Sequence, residues 1–192
     1  MAEPDATLDA ALAPRNRDAG DGCLGACCAL ATSLLFGVDP GRSGAALPAA
    51  FSAIPGGATF ANARVVLARL YRVRSEVVSG SLARMLSLSG AAGLVVLGVN
   101  PRLVYPGAAP GRHAVLLASS TALGPAAWAS RLLDVAPGAA PDARVRFIDP
   151  SRSPARQEVP LATLAAAFDG AGREALLVSP ERGERHGQPV DR

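Results

Sequence analysis

An α+β fold, with N-terminal helices packed on a C-terminal antiparallel sheet, is the architecture this sequence predicts. Helical spacing of apolar residues dominates the first half of the chain, whereas strand-like runs crowd into residues 93–179. The two kinds of segment are largely sorted rather than alternating, which argues against βαβ units and a parallel sheet. No internal repeat interrupts that order.

The elements follow in sequence. Residues 1–20 mix Ala, Pro and charge without periodicity and read as a flexible lead-in, with at most a helical turn near Thr7–Leu12. Helical spacing of Cys27, Leu30, Ala31 and Leu34 predicts a helix over Cys23–Phe36, with Gly37 as its stop. Asp39-Pro-Gly-Arg reads as a turn before a short helix near Ala45–Ala53, and Pro55-Gly-Gly as a break. Thr59 is placed to cap a helix over Phe60–Leu70, with Val65, Val66 and Leu70 apolar and Arg64 and Arg69 outward. A short strand over Arg74–Val78 and a short helix over Ser81–Leu88 come next. Gly93–Asn100 reads as a buried strand, His113–Ser119 as a second, and Arg144–Asp149, which alternates, as a half-buried third. A helix over Leu161–Phe168 and a strand over Ala175–Ser179 complete the list. Residues 120–142, rich in Ala, Pro and Gly, read as a long connection with a strand or helical turn near Trp128–Val135. Residues 21–180 thus read as one domain and 181–192 as a flexible tail.

Composition limits the function classes. At 192 residues, with 49% hydrophobic and 18% charged residues, the chain is long enough for one buried core and too apolar to be disordered throughout. Alanine, roughly one residue in five, inflates the hydrophobic share. All 19 Lys+Arg positions are arginine, scattered without a stripe, so the net charge of +3 does not point to nucleic acid. No apolar run reaches the length of a membrane helix, and the acidic Met-Ala-Glu-Pro-Asp start is unlike a signal peptide, so no membrane partner and a cytoplasmic location are expected. Cys23, Cys27 and Cys28 are an odd, crowded set, poor as a disulfide framework and without a second Cys/His cluster for zinc; no metal or other cofactor is expected. Nor is there a phosphate-binding loop or a Gly-x-Ser-x-Gly elbow.

Chemistry is concentrated in three residues. Cys23 stands at the mouth of a helix, where the dipole favours a thiolate and the first free N–H groups can face an oxyanion. His113, opening a strand, is the candidate base, and Asp149, closing another, the candidate orienting carboxylate. Cys27 and Cys28 read most simply as small apolar residues of the helix. Tyr105 and Trp128 read as packing residues or loop anchors, and His186 as part of the tail.

Gly22-Cys-Leu-Gly-Ala-Cys-Cys-Ala-Leu-Ala-Thr-Ser-Leu-Leu-Phe-Gly37 resembles the nucleophile helix of papain-fold peptidases of the bacteriocin-processing, double-glycine-leader family. Cys23, Ala26, Leu30 and Gly37 stand at the family's positions, and Arg112-His-Ala-Val-Leu-Leu and Phe147-Ile-Asp-Pro follow in the family's order. Val159-Pro-Leu-Ala-Thr-Leu resembles the helix beyond. Over residues 20–170 the resemblance implies a papain-like cysteine peptidase fold with a Cys23–His113–Asp149 triad. The chain departs from the family in three places: Arg17 and Asp18 replace a Gln that completes the oxyanion hole, leaving Asn16 as the nearest amide; Leu24 replaces a Gly; and Asp149 stands 36 positions after His113, a long interval. Gly25-Ala-Cys-Cys-Ala-Leu also resembles the Cys-Gly-Ser-Cys-Trp run of papain-type enzymes, which makes Cys27 the alternative nucleophile.

Three functions fit this reading: a thiol hydrolase cutting a peptide or amide bond; an acyltransferase, thioesterase or cyclase acting on a carrier-bound acyl chain; and a catalytically inactive peptide-binding module. A Cys23 sulfur far from the His113 imidazole, or a filled cleft, is the mark of the third.

Overall fold

The structure is a computed structural model that describes residues 22–36, 40–117, 143–152 and 155–182. The expected lead-in with its turn near Thr7–Leu12, Asn16, Gly37, the whole 120–142 connection including Trp128, and His186 lie outside these residues. Helix α1 is Gly22–Phe36, α2 Pro40–Ser52 and α3 Phe60–Tyr71. Strand β1 (Val73–Ser79) and helix α4 (Leu82–Ala91) follow, then β2 (Leu94–Val99) and the single turn α5 (Pro101–Val104). After them come β3 (His113–Leu117), β4 (Arg144–Ile148), β5 (Arg156–Pro160), α6 (Leu161–Asp169) and β6 (Glu174–Arg182).

The local signals behave as side-chain chemistry requires. Thr59 caps α3 by accepting the Asn62 N–H, and Ser81 caps α4 by accepting the Arg84 N–H. Helix α2 starts at Pro40, so Pro40-Gly-Arg belongs to the helix and not to the expected turn; proline is suited to a first helical position, where its missing N–H costs nothing. On α3 the buried positions are Ala63, Val66 and Leu67, while Val65 and Leu70 are exposed, so the helix is rotated relative to the expected apolar face. Two elements carry no clear sequence signal. The half-polar β5 is an edge strand paired only with β4, and α5 is a single turn capped by Asn100.

One antiparallel sheet of six strands, in the order β1-β6-β2-β3-β4-β5, organises the described residues. Every residue of β2 is buried, because the sheet is covered on both faces. On one face Leu94, Val96 and Ala114 meet the helix layer of α1, α2 and α3. On the other, Val95, Leu97 and Val115 meet α4 and α6, so the helices do not lie on a single side. Burial on both faces explains why β2 is an unbroken apolar run rather than an alternating one.

Helix α1 is the centre of the first layer. Leu24, Cys27, Cys28, Leu30 and Ala31 are all buried, so little of the helix remains for solvent. Gly25 faces Leu47 and Phe51 of α2, and the Cys27 thiol donates to the Ala114 carbonyl at 3.5 Å. Those contacts hold the start of α1 beside the start of β3. Gly93 permits the entry into β2: its φ of 154° is in the region that favours glycine, and a Cβ there would collide with the Val178 carbonyl of β6.

Candidate active site

Three separate elements place the three candidates. Cys23 is the second residue of α1, half-buried at the helix N-terminus. His113 is the first residue of β3 and pairs in register with Val99. Asp149 follows β4; because Leu116 pairs with Ile148 antiparallel, the chain leaving β4 runs back toward His113. The long interval before β4 therefore does not separate the two side chains.

The result is a continuous line of contacts. The Cys23 thiol hydrogen-bonds the His113 side chain. His113 Nε2 lies 2.9 Å from Asp149 Oδ2, with the imidazole 14% exposed and the carboxylate fully buried. With Nε2 turned to the carboxylate, Nδ1 is the ring nitrogen left for the sulfur. The Asp149 contact at Nε2 sets this polarity, because a hydrogen bond at one ring nitrogen fixes the role of the other.

Asp149 is saturated with donors. The Tyr105 hydroxyl donates to Oδ2 at 2.6 Å, while the Ser151 hydroxyl and backbone N–H donate to Oδ1 at 2.6 and 2.9 Å. Ser151 Oγ is also 3.4 Å from His113 Nε2. Tyr105 thus does more than the packing or loop anchoring expected of it, and Ser151 joins the site in addition to the expected residues. Asp149-Pro150-Ser151 carries a signal for the latter, since an Asp at the head of such a turn accepts the N–H two residues on. Nothing in the sequence marks Tyr105, which arrives from the turn after α5.

Electrostatics follow from these contacts. Burial alone would raise the Cys23 thiol, but the hydrogen bond and charge of His113, with backbone hydrogen bonds at Ala114 and Leu24, hold it below its ordinary value. Burial works against a charged His113, yet its bonds to Asp149 and Cys23 raise it to about 9. Burial likewise opposes ionisation of Asp149, and its donors, His113 first, keep it below the usual carboxylate range. Cys27 and Cys28 behave oppositely. Both are fully buried; burial and the neighbouring thiols push Cys27 well up and Cys28 to about 12, so both remain protonated at neutral pH.

A cleft of about 510 Å³ opens beside Cys23 and His113. Its apolar wall includes Leu24, Phe60, Val77 and Gly98, and the ion pair of Arg112 with Glu174, at 3.1 Å, lies along it. Among the described residues, no group of three His, Cys, Asp or Glu side chains is placed to hold a metal ion, and no helix is long and apolar enough to cross a membrane.

A helix bearing the thiol, set against an antiparallel sheet bearing the imidazole and carboxylate, defines a papain-like peptidase fold. Solved structures bear out that class. The peptidase domain of Streptococcus ComA, a bi-functional ABC transporter involved in a quorum-sensing pathway, superposes with a TM-score of 0.55 at 12% identity, over 86% of this chain and 96% of that one. A candidate C39-like peptidase from Bacillus anthracis gives a TM-score of 0.52 at 15% identity, over 86% of this chain and 91% of the other. The fold is therefore that of the C39, bacteriocin-processing peptidases. No protein-family profile matches the sequence. No curated protein matches it either.

Proposed function

We propose that this chain is a cysteine peptidase-like hydrolase that cleaves a peptide or amide bond through Cys23, His113 and Asp149. The observation that carries the proposal is the hydrogen-bonded line from the Cys23 thiol through His113 to the buried Asp149, opening on a cleft. The shared fold with peptidase structures supports the choice of substrate class.

In this reading thiolate and imidazolium coexist in a window that lies below about pH 9. The lowered thiol value and the His113 value of about 9 leave a window in which the sulfur is charged and the imidazole protonated. The sulfur attacks the carbonyl carbon, and the developing oxyanion faces the first N–H groups of α1. His113 gives its proton to the departing amine, leaving a thioester on Cys23. A water molecule, losing its proton to His113, attacks that thioester; the acid is released and the ion pair restored. Asp149 keeps the imidazole in the required tautomer throughout. Asn16 is proposed as a further oxyanion donor. Cys27 is proposed to be structural and not the nucleophile: it is fully buried, its thiol is committed to the Ala114 carbonyl, and its ionisation is suppressed.

A binding module without chemistry has no use for a thiol held against an imidazole beside an open cleft, and that contact favours the enzymatic reading. Whether water or another acceptor takes the acyl group is decided by partitioning of the thioester. The test is alkylation with iodoacetamide at pH 7, followed by mapping of the modified residue. Cys23 is expected to react at least about tenfold faster than a free thiol, with Cys27 and Cys28 unmodified. Reaction of Cys23 at the free-thiol rate, or undiminished peptide cleavage by Cys23→Ala, overturns the proposal.

A further inference from the structure

Asp149 Oδ2 accepts from two side chains at once, the Tyr105 hydroxyl at 2.6 Å and His113 Nε2 at 2.9 Å. The tyrosine is built in for this position. The N–H of Asn100 is bonded to the Ala167 carbonyl of α6, which ties down the start of α5; the Tyr105 N–H closes that turn on the Pro101 carbonyl at 2.7 Å, and the Tyr105 carbonyl accepts the Ala108 N–H. The guanidinium of Arg152 covers the ring, 4.0 Å from its centroid. The phenol is raised by burial and by the adjacent carboxylate, so it remains a protonated donor.

We propose that Tyr105 is a positioning residue of the site: its hydroxyl fixes the plane of the Asp149 carboxylate and, by sharing Oδ2, limits how strongly that carboxylate holds the His113 imidazolium. The proposal builds on the Cys23–His113–Asp149 reading. A carboxylate bonded by His113 alone is free to rotate and concentrates its charge on the imidazole. With Tyr105 on Oδ2 and Ser151 on Oδ1 the plane is fixed from both sides, and part of the charge is already neutralised. The groups facing His113 are Cys23 from α1 and Asp149 after β4. Tyr105 and Arg152 stand behind the carboxylate, and Cys27 lies buried beneath the thiol.

The test reads His113 directly. His186 is the other histidine of the chain, so a His186→Gln background leaves one imidazole to follow by NMR titration of the full-length protein. Adding Tyr105→Phe is expected to raise the His113 midpoint by about one pH unit. Substituting 3-fluorotyrosine, a stronger donor, in a Tyr71→Phe background is expected to lower it, which provides a second measurement should Tyr105→Phe fail to fold. Iodoacetate, whose carboxylate is drawn by the imidazolium, gives a kinetic counterpart: its alkaline limb on Cys23 should move upward in Tyr105→Phe. An unchanged His113 midpoint in either variant overturns the role of Tyr105. A Cys23 that reacts only as a free thiol overturns the peptidase reading instead, while the His113 titration still reports on Tyr105.

Discussion

His113 Nε2 and the fully buried Asp149 Oδ2 are 2.9 Å apart, joined across β3 and β4, whose register sets Leu116 opposite Ile148. The contact sets the direction of the imidazole, and its loss is expected to cost chemistry more than structure. Asp149→Asn keeps the shape but can donate where the carboxylate only accepted, favouring the wrong tautomer. Cys23 alkylation and peptide cleavage at pH 7 are expected to fall by about 10²-fold or more with the fold retained. Wild-type rates in that variant would remove Asp149 from the mechanism.

The ion pair has an unusual consequence for stability. His113, raised from 6.5 to about 9, contributes stability that is full below pH 6.5 and is lost as pH rises through about 9. Cys23, lowered from 9.0, contributes stability that is full above pH 9.0 and is lost as pH falls through its folded value. Above that lowered value and within pH 6.5–9, folding takes one proton onto the imidazole and releases one from the thiol, so the two slopes cancel. Urea unfolding of the wild type is therefore expected to change little across this range. Cys23→Ser uncovers the histidine slope, with loss approaching about 1.4 kcal/mol per pH unit. Parallel pH profiles for the two proteins would contradict the ion pair.

Asp149 lies on the acidic side of the same balance. Its depressed carboxyl contributes stability present above the ordinary value of 3.8 and lost as pH falls through its lower folded value. Asp149→Asn is expected to flatten the acid limb of unfolding, measured by circular dichroism below pH 4. An acid limb identical to the wild type would show that the carboxylate is not held ionised.

Gly98 separates binding from chemistry. A Cβ there would stand 3.3 Å from Phe60 and 3.4 Å from the Glu174 carbonyl, narrowing the cleft. Gly98→Val is expected to lower kcat/KM for a peptide by about tenfold or more, leaving alkylation by the small iodoacetamide within about twofold. Equal losses in both assays would mean that the substitution disturbs Cys23 itself.

Gly93 is a purely structural control. Its positive φ and the Val178 carbonyl facing its Cα leave no place for a methyl group. Gly93→Ala is expected to lose about 2–4 kcal/mol in urea unfolding, since β6 must move away from β2. A loss below about 1 kcal/mol would show that the sheet yields easily there.

Much of the fold is legible in the sequence because its signals are local. Thr59 and Ser81 cap helices through their own hydroxyls, and the apolar run of β2 requires burial on both sides. Where the signal depends on neighbours, it fails. The expected apolar face of α3 included Val65 and Leu70, but contact with β1 and α1 turns Ala63 and Leu67 inward instead. β5 exists because β4 offers it a hydrogen-bonding edge, not because Arg-Gln-Glu-Val-Pro favours a strand.

The same division runs through the candidate site. Rare residues stand out in an alanine-rich chain with no lysine, so a cysteine at a helix start, a histidine at a strand start and an aspartate at a strand end can be named from sequence alone. Their convergence, the orientation of the imidazole and the arrival of Tyr105 on the same carboxylate oxygen were decided by strand register and a single capped turn. Hydrogen bonds between residues 44 positions apart have no local propensity to announce them; they exist once packing has already fixed both partners.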